Sequence, residues 1–213
     1  MFDDFRLFYS EFRQNFTTTG AIAPSSPLLS RAMTRPLMNR GPSSIRVLEI
    51  GPGTGAFTSQ ILRRLRSGDR FDAYELNSRF CRFLRRSLPL SELTANGIDC
   101  RLYNSDIRTV PQDTEYDYMI CGLPFNNFRP EAVSEILHTL IQHLSPNGVL
   151  SYFEYIFSHK FKSRFLKSSE RERMLQVGLT VRTFIQKHQF HHQHVWLNFP
   201  PAKARYFRRV VGH

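Results

Sequence analysis

The sequence predicts a doubly wound α/β fold, in which helices cover both faces of a mainly parallel β-sheet. Apolar strand patterns alternate with helical patterns along most of the 213 residues. A glycine-rich loop, "GPGTG" at 51–55, follows the first strand pattern and leads into a helix. A β-rich tail at 181–210 predicts an antiparallel hairpin at one edge of the sheet. The length favours one domain with small additions.

Each element has its own pattern in the sequence. Phenylalanines at helical spacing predict a first helix that ends near Asn15 or Phe16, before a stretch rich in Gly and Pro. A short helix is predicted at 30–38. Strands are predicted at 45–50, 70–75, 98–103, 116–121 and 148–155. The other helices are predicted at 57–66, 78–87, 130–144 and, with many basic residues, about 160–176.

Charge and cysteine usage limit the partners and the compartment. The chain has 29 Lys and Arg against 18 Asp and Glu, a net charge of +11, which predicts attraction to a polyanion. Three widely spaced cysteines indicate reduced thiols in a cytoplasm. The start "MFDDF" carries acids where a signal peptide carries bases, and the apolar run at 149–157 is too short to span a bilayer. Any membrane contact is therefore expected to be peripheral, on the cytoplasmic side.

The glycine loop admits two kinds of ligand. In open α/β sheets, ligands bind beyond the carboxyl ends of the strands, and the first strand ends at this loop. A dinucleotide-binding loop has the spacing G-x-G-x-x-G, whereas Gly51, Gly53 and Gly55 alternate and follow the acidic Glu49. That carboxylate would repel a pyrophosphate but suits the cationic amino group and sulfonium of S-adenosylmethionine. The glycines let the backbone pass close to the ligand.

Two more acids follow the second and third predicted strands. Glu75, with Leu76 beside it, stands where a carboxylate can accept hydrogen bonds from both ribose hydroxyls. Asp106 can accept from an adenine amino group, with Ile107 beside the ring. Each acid alone fits a solvated loop equally well, but the set with the glycine loop favours a cofactor site. It resembles the class I S-adenosylmethionine-dependent methyltransferases, which implies S-adenosyl-L-methionine as cofactor and a seven-stranded Rossmann-like sheet with a terminal antiparallel hairpin.

The stretch "CGLPFNNF" at 121–128 follows the fourth strand, where that superfamily faces the transferred methyl group. It resembles the adenine N6-methyltransferases, in which Asn or Asp precedes a proline and an aromatic residue. Here Gly122 lacks the side-chain amide that would accept from an adenine amine, although Asn126 or Asn127 can substitute for it. An RNA or DNA adenine N-methyltransferase of the ribosomal RNA dimethyltransferase type stays open as a second hypothesis. A non-catalytic lipid- or RNA-binding protein is a third.

Two flanking segments resemble the bacterial phospholipid N-methyltransferases. They are "GAIAPSSPLLSRAM" at 20–33 and "VWLNFPPAKARYFRR" at 195–209. The resemblance implies successive methylation of the primary amine of phosphatidylethanolamine or of an ornithine lipid. It also divides the chain into residues 1–40, an amphipathic helix with a segment that covers cofactor and substrate, and residues 41–213, the methyltransferase domain.

Two segments carry aromatic and basic residues together, which suits the surface of an anionic membrane. They are the phenylalanine-rich first helix and "HKFKSRFLK" at 159–167. Both are also compatible with helices that pack on the sheet and expose a charged face, and aromatics among bases can stack on single-stranded nucleic acid. Zinc, RRM and helix-turn-helix patterns are missing from the sequence, which makes nucleic acid the less favoured partner.

The substrate residues are expected at the strand ends and in the flanking segments. The backbone carbonyls of Gly122, Leu123 and Pro124 and the Tyr155 hydroxyl are candidates to orient the amine, although Tyr155 also fits an ordinary strand end. Phe125 is expected to face the sulfonium or the methylated ammonium. The remaining substrate candidates are Asn126, Lys203 and Arg205. The resemblance to the phospholipid N-methyltransferases implies that Ile22, Ser25 and Ser26 lie over the cofactor. The tail histidines, His188, His191, His192 and His194, match no zinc spacing, so no metal is expected.

Overall fold

The sheet has seven strands, which are β1 (Arg46–Ile50), β2 (Arg70–Tyr74), β3 (Asp99–Tyr103), β4 (Tyr116–Cys121), β5 (Leu144–Tyr155), β6 (Gln189–Val195) and β7 (Ala202–Phe207). Their order across the sheet is β3-β2-β1-β4-β5-β7-β6. The structure is a computed structural model that describes residues 26–156 and 168–210. Strands β1 to β5 pair in parallel, and β7 runs antiparallel between β5 and β6. The doubly wound sheet and its terminal hairpin are thereby confirmed.

Helices lie on both faces of this sheet, because its central strands bury side chains on both sides. The helices are α1 (Pro27–Met33), α2 (Thr58–Leu62), α3 (Ser78–Ser87), α4 (Leu90–Ala95), α5 (Pro130–Gln142) and α6 (Ser168–His188). The face that includes Leu48 and Ile50 packs under α5 and α6, and the face that includes Val47 packs under α1 and α2. No helix within 26–156 and 168–210 is both long and apolar enough to cross a bilayer.

Several predicted boundaries were wrong. Helix α6 continues to His188, so 181–188 is helical and not part of the β-rich tail. Its buried residues Val177 and Val181 lie four positions apart, which is a helical period that the sequence already contained. The helix predicted at 30–38 is instead α1 followed by a 3-10 turn, Arg35–Asn39, since Pro36 has no backbone N–H to continue the α-helix. Helix α4 was not predicted.

The segment before β1 is joined to the sheet by buried contacts. Leu29 and Met33 of α1 are fully buried, and the Tyr206 hydroxyl of β7 donates to the Ala32 carbonyl at 2.8 Å. The Arg40 guanidinium forms a buried ion pair with Asp69. Residues 26–40 therefore share a core with the methyltransferase domain, and the division at residue 40 stays a prediction. The predicted first helix, Ile22, Ser25 and 159–167 lie outside the described residues.

Candidate active site

A cleft opens at the carboxyl ends of β1 and β2, beside the loops that follow β3 and β4. Six of its residues were predicted from the sequence: Gly51, Glu75, Leu76, Asp106, Ile107 and Leu123. Three were missed: Ile50, Tyr74 and Ser105. Ile50 and Tyr74 are the last residues of β1 and β2, so their position at a strand end was the signal that could have found them.

The glycine loop runs close under the loop that follows β4. Gly51 has a φ of +68°, in the left-handed region that favours glycine, and its N–H donates to the Tyr74 carbonyl at 2.9 Å. A Cβ at this position would stand 2.7 Å from Leu123 Cδ2. The loop can thus approach the floor of the cleft only without a side chain at Gly51.

Glu75 fixes the loop from the end of β2. Its side chain is buried, with Oε2 accepting from the Gly53 N–H at 3.0 Å and Oε1 accepting from the Asn77 N–H at 2.8 Å. These bonds hold the carboxylate at the edge of the cleft, where the sequence placed a ribose contact. Gly55, the third glycine of the loop, also has a positive φ and packs against α3 through Leu84. Its role toward the cofactor stays a prediction.

Glu49 carries a buried carboxylate that lacks hydrogen bonds in the described part of the chain. It is fully buried, and neither carboxylate oxygen has a hydrogen-bond partner within the described part of the chain. Burial raises the pKa of Glu49 to about 8, and the nearby charge of Glu75 adds to the shift, while the adjacent Thr58 hydroxyl opposes it. The Thr58 hydroxyl does not form a hydrogen bond of good geometry with the acid. A cationic group brought next to Glu49 would satisfy this carboxylate, so the residues present fit the ammonium end of S-adenosylmethionine.

Asp106 is held by a neighbour that the sequence analysis did not identify. Its Oδ1 accepts from the Arg108 N–H at 2.9 Å, and its Oδ2 accepts from Arg108 Nη2 at 2.7 Å. Arg108 also pairs with Glu135 of α5. These contacts fix the direction of the Asp106 carboxylate in the cleft wall, and its contact with an adenine amine stays a prediction. The spacing Asp-x-Arg was the available signal.

Gly122 touches the backbone of β1. Its N–H donates to the Ile50 carbonyl at 2.8 Å. A Cβ added here would lie 2.8 Å from the Gly51 oxygen and 3.3 Å from the Ile50 oxygen. Backbone atoms occupy the space that any larger side chain would need, so an Asn or Asp does not fit at this position. The difference from the adenine-specific motif therefore has a physical cause.

The residues after Pro124 differ from expectation. Phe125 was expected to face substrate, but only 1% of it is exposed, and its ring packs against Tyr152 with the centroids 4.9 Å apart. The following backbone is held by α6, where Arg173 Nη1 donates to the carbonyls of Asn126 at 3.3 Å and Phe128 at 2.9 Å. Arg173 was missed because nothing in the sequence pairs it with these residues. The substrate role of Asn126 stays a prediction.

The other substrate candidates are divided between two faces of the sheet. Tyr155 pairs in register with Ala202, and its ring contacts Phe153 on the face covered by α1. Lys203 and Arg205 alternate with Ala202 and therefore lie on the opposite face. Arg205 forms an ion pair with Glu154. The structure thus does not bring these three residues together, and the guanidinium of Arg205 already has a carboxylate partner.

The two flanking segments meet in the structure. The Ser26 hydroxyl caps α1 by accepting from the Leu29 N–H, and the Ser26 N–H donates to Asn198 Oδ1, each at 3.2 Å. Residues 20–33 and 195–209 were singled out separately in the sequence, and this bond joins them. Whether Ser26 also covers the cofactor stays a prediction.

The tail histidines lie in three environments. His188 is buried at the end of α6, and His191 stacks on the Tyr206 ring with the centroids 5.6 Å apart. His192 and His194 lie on the face that also carries Lys203, with ring centroids 5.3 Å apart. No three His, Cys, Asp or Glu side chains are grouped for a metal in residues 26–156 or 168–210. The expectation of a metal-free protein stays a prediction.

The fold and the cleft define a class I S-adenosylmethionine-dependent methyltransferase. A family model described as a methyltransferase domain matches residues 47–148. An ornithine lipid N-methyltransferase from Singulisphaera acidiphila is 30% identical over 154 residues, which covers 70% of this chain and 76% of that protein. The chain belongs to the family of this relative, the bacterial phospholipid N-methyltransferases, as its flanking segments indicated.

Two further comparisons agree with this class. An uncharacterized methyltransferase from Staphylococcus carnosus is 26% identical over 128 residues, covering 57% of this chain and 53% of that protein. Among solved structures, the magnesium protoporphyrin IX methyltransferase from Synechocystis PCC 6803 with bound S-adenosylmethionine superposes with a TM-score of 0.60. It is 13% identical, and the match covers 86% of this chain and 79% of that chain, which shows a shared fold. S-adenosyl-L-methionine is the cofactor.

Proposed function

We propose that this enzyme methylates the primary amine of a membrane lipid head group, that of phosphatidylethanolamine or of an ornithine lipid, in successive steps. It would act as a peripheral enzyme on the cytoplasmic face of the membrane. The observation that carries the proposal is the 30% identity to a protein named as an ornithine lipid N-methyltransferase. The contact between Ser26 and Asn198 supports it, because the two segments that resemble lipid methyltransferases form one structural unit.

The chemistry assigned to the protein is positioning. Bound in the cleft, S-adenosylmethionine supplies a methyl group activated by a sulfonium. Glu49 would hold the ammonium of the cofactor, and Glu75 the ribose. The carbonyls of Gly122 to Pro124 would orient the attacking nitrogen, and most of the rate would come from proximity and alignment.

The substrate amine must lose a proton before it attacks. A primary ammonium has a pKa of about 10, like that of Lys, and its partial desolvation in the site lowers that value. Burial raises the pKa of the Tyr155 phenol, so this hydroxyl stays neutral near pH 7. Tyr155 is therefore suited to accept an N–H hydrogen bond from the amine and unsuited to act as a strong base.

The shape of the β4 loop favours a lipid amine over adenine. Adenine N6-methyltransferases use a side-chain amide or carboxylate at the position of Gly122, and the backbone of Gly51 leaves no room for one here. Backbone carbonyls remain as acceptors for a primary amine. The crowded backbone at Gly122 supports a lipid substrate independently of the relative's name.

The test offers purified protein three acceptors with methyl-labelled S-adenosylmethionine. Vesicles with phosphatidylethanolamine, vesicles with an ornithine lipid and unmodified RNA are compared in parallel, with the Glu49→Ala variant as the background control. Label in a lipid fraction of the wild-type enzyme is the expected result, and the labelled lipid identifies the head group. Label confined to RNA would reject the proposal in favour of an adenine methyltransferase.

A further inference from the structure

The loop between β6 and β7, residues 196–201, exposes large apolar side chains. Trp196 is 61% exposed, Leu197 is 84% exposed and Phe199 is 85% exposed. Side chains of this size are usually buried in a water-soluble domain, and a cluster of exposed ones marks an interaction surface. We call these three residues the apolar loop cluster.

The exposure does not come from a poorly packed loop. Asn198, between the exposed side chains, is 3% exposed. Its N–H donates to the Val195 carbonyl at 3.3 Å, its Nδ2 donates to the Pro200 carbonyl at 2.6 Å, and its Oδ1 accepts from the Ser26 N–H. A buried, hydrogen-bonded Asn thus forms the base of the loop and directs its neighbours outward.

The loop lies at the edge of the sheet that holds the cleft. Ala202, the first residue of β7, pairs with Tyr155, the last residue of β5, and with Val195, the last residue of β6. The Ile156 N–H donates to the Pro201 carbonyl at 2.9 Å. Strand β5 is parallel to β1, β2 and β4, so their carboxyl ends lie at one edge of the sheet. The apolar loop cluster therefore projects from the same edge at which the cofactor binds.

The cluster is bordered mainly by basic side chains, with Glu154 among them, which pairs in register with Lys203 and forms an ion pair with Arg205. The sequence has no Asp or Glu after Glu172. Trp196 stacks on His194 with the ring centroids 5.1 Å apart, and His194 pairs in register with Lys203. On the other side of β6, Arg35 Nη1 donates to Gln193 Oε1 at 3.1 Å. Aromatic and aliphatic side chains bordered by cations match the interfacial layer of an anionic bilayer.

We propose that the apolar loop cluster inserts into the head-group region of an anionic membrane and brings the cleft to the lipid amine. The inference rests on the proposed function for its biological purpose, but the docking itself does not require that the substrate be a lipid. A Trp, a Leu and a Phe on one rigid loop supply apolar burial, and the surrounding cations supply attraction to the leaflet.

The natural probe is Trp196, which is the single Trp of the chain. Vesicles of phosphatidylcholine with phosphatidylglycerol are added to the purified protein, with and without bromine on the acyl chains. We expect a blue shift of the Trp196 emission and quenching by the brominated lipid. Binding to vesicles without a change in emission would overturn the inference, as would a failure to bind vesicles.

A matched pair of variants distinguishes specific docking through the apolar loop cluster from non-specific adsorption to vesicles. Leu197→Ser/Phe199→Ser keeps the fluorescent probe, whereas Phe83→Ser removes an exposed aromatic from the basic helix α3, at the other end of the sheet. We expect the loop variant to bind vesicles at least about tenfold more weakly, the loss of roughly two exposed apolar anchors, and the Phe83 variant to bind like the wild type. Equal losses in both variants would reject the loop as the docking element.

Methyl transfer to a short-chain monomeric lipid amine separates the two proposals. If both hold, the loop variant retains this activity and loses activity on vesicles. If Trp196 inserts but no lipid amine is methylated, docking stands and the proposed substrate fails. A Trp196 blue shift that follows protein concentration without vesicles would assign the loop to a second copy of the chain, and one that follows added RNA would assign it to nucleic acid. Either result would overturn the membrane assignment.

Discussion

At the scale of single residues, Glu49 is fully buried, and its carboxylate accepts no hydrogen bond from residues 26–156 or 168–210. An ionised acid without a partner destabilises a folded protein, and a neutral one is of little use to a cation. A bound ammonium would favour the charged form of Glu49 and so lower the pKa of the acid. With the ammonium of the cofactor beside Glu49, as proposed, the cost of burying this carboxylate would be offset.

Replacing Glu49 by Gln should move stability and cofactor binding in opposite directions. The folded pKa is about 8 against an ordinary value of 4.5. Between these pH values the folded state holds a proton that the unfolded state lacks, so stability falls as the pH rises through this window. At about pH 9 we expect the cofactor-free variant to melt roughly 2–4 °C above the wild type, the shift from about 1 kcal/mol in a domain of this size.

Calorimetry with S-adenosylmethionine supplies the other half of this test. Cofactor affinity of the wild type should increase as the pH rises toward 8, because the ionised carboxylate is the binding form, and Glu49→Gln should bind more weakly with a flatter pH profile. Unchanged affinity in the variant would remove Glu49 from the site. If Glu49→Gln melted below the wild type at about pH 9, the ionised Glu49 would have a stabilising partner in the folded protein.

Gly122 offers a test of close packing. Gly122→Ala would place a Cβ 2.8 Å from the Gly51 oxygen, and the resulting shift of one loop should cost about 1–3 kcal/mol of stability and most of the activity. Gly178→Ala is the control, because its Cβ meets nothing within 4 Å in α6. That substitution should raise stability by about 0.5–1 kcal/mol. Thermal melts of both variants give the comparison, and a neutral Gly122→Ala would contradict the packing argument.

At the scale of elements, α6 holds the backbone of the loop that follows β4. It packs on α5, and its Arg173 holds two carbonyls of the loop after β4. This loop contains a short 3-10 turn, Phe125–Asn127. If the neighbouring carbonyls of Gly122 to Pro124 orient the substrate nitrogen, as proposed, that positioning depends on a helix that is distant in sequence.

Arg173→Ala should lower kcat about tenfold or more, because a small displacement of the loop that Arg173 holds would misalign the adjacent carbonyls of Gly122 to Pro124. Cofactor affinity should stay within about twofold of the wild type, since the hydrogen bonds of Arg173 in the described part of the chain go to Asn126 and Phe128 and not to the glycine loop or Glu49. Arg182→Ala, an exposed position on the same helix, controls for the loss of one charge. Steady-state kinetics and calorimetry give the two readouts. A parallel loss of cofactor binding would show that α6 supports the whole site and not this loop.

At the scale of the whole molecule, the net charge of +11 predicts salt-sensitive association with anionic membranes. Raising the ionic strength from about 0.1 M to about 1 M shortens the Debye length from about 10 Å to about 3 Å. We expect sedimentation with phosphatidylglycerol vesicles to weaken at least about tenfold, since each basic residue near the leaflet contributes roughly 1 kcal/mol. Binding to neutral vesicles should change little. Salt-insensitive binding to the anionic vesicles would mean that charge has no role.

Local patterns were enough to predict the class and most of the residues that line the cleft. Strand ends and glycine spacing are short-range features, and they placed Gly51, Glu75 and Asp106 on one cleft. Substrate residues were less predictable because their contacts are distant in sequence. Arg205 pairs with Glu154 across 51 residues, and the burial of Phe125 depends on Tyr152 of another strand.

The sequence by itself determined the alternating elements, the glycine loop, the acids at the strand ends and the family, since each is a property of neighbouring residues or of short motifs. Tertiary structure decided which groups have partners. The Glu49 carboxylate has no hydrogen bond of good geometry within the described residues, although the Thr58 hydroxyl of α2 lies beside it. Gly122 has no space for a side chain because backbone oxygens of β1 and the glycine loop lie against it. Tertiary structure also decided that 196–201 projects from the same edge of the sheet as the cleft, since β7 runs antiparallel beside β5. Burial and proximity depend on long-range pairing, which no local pattern encodes.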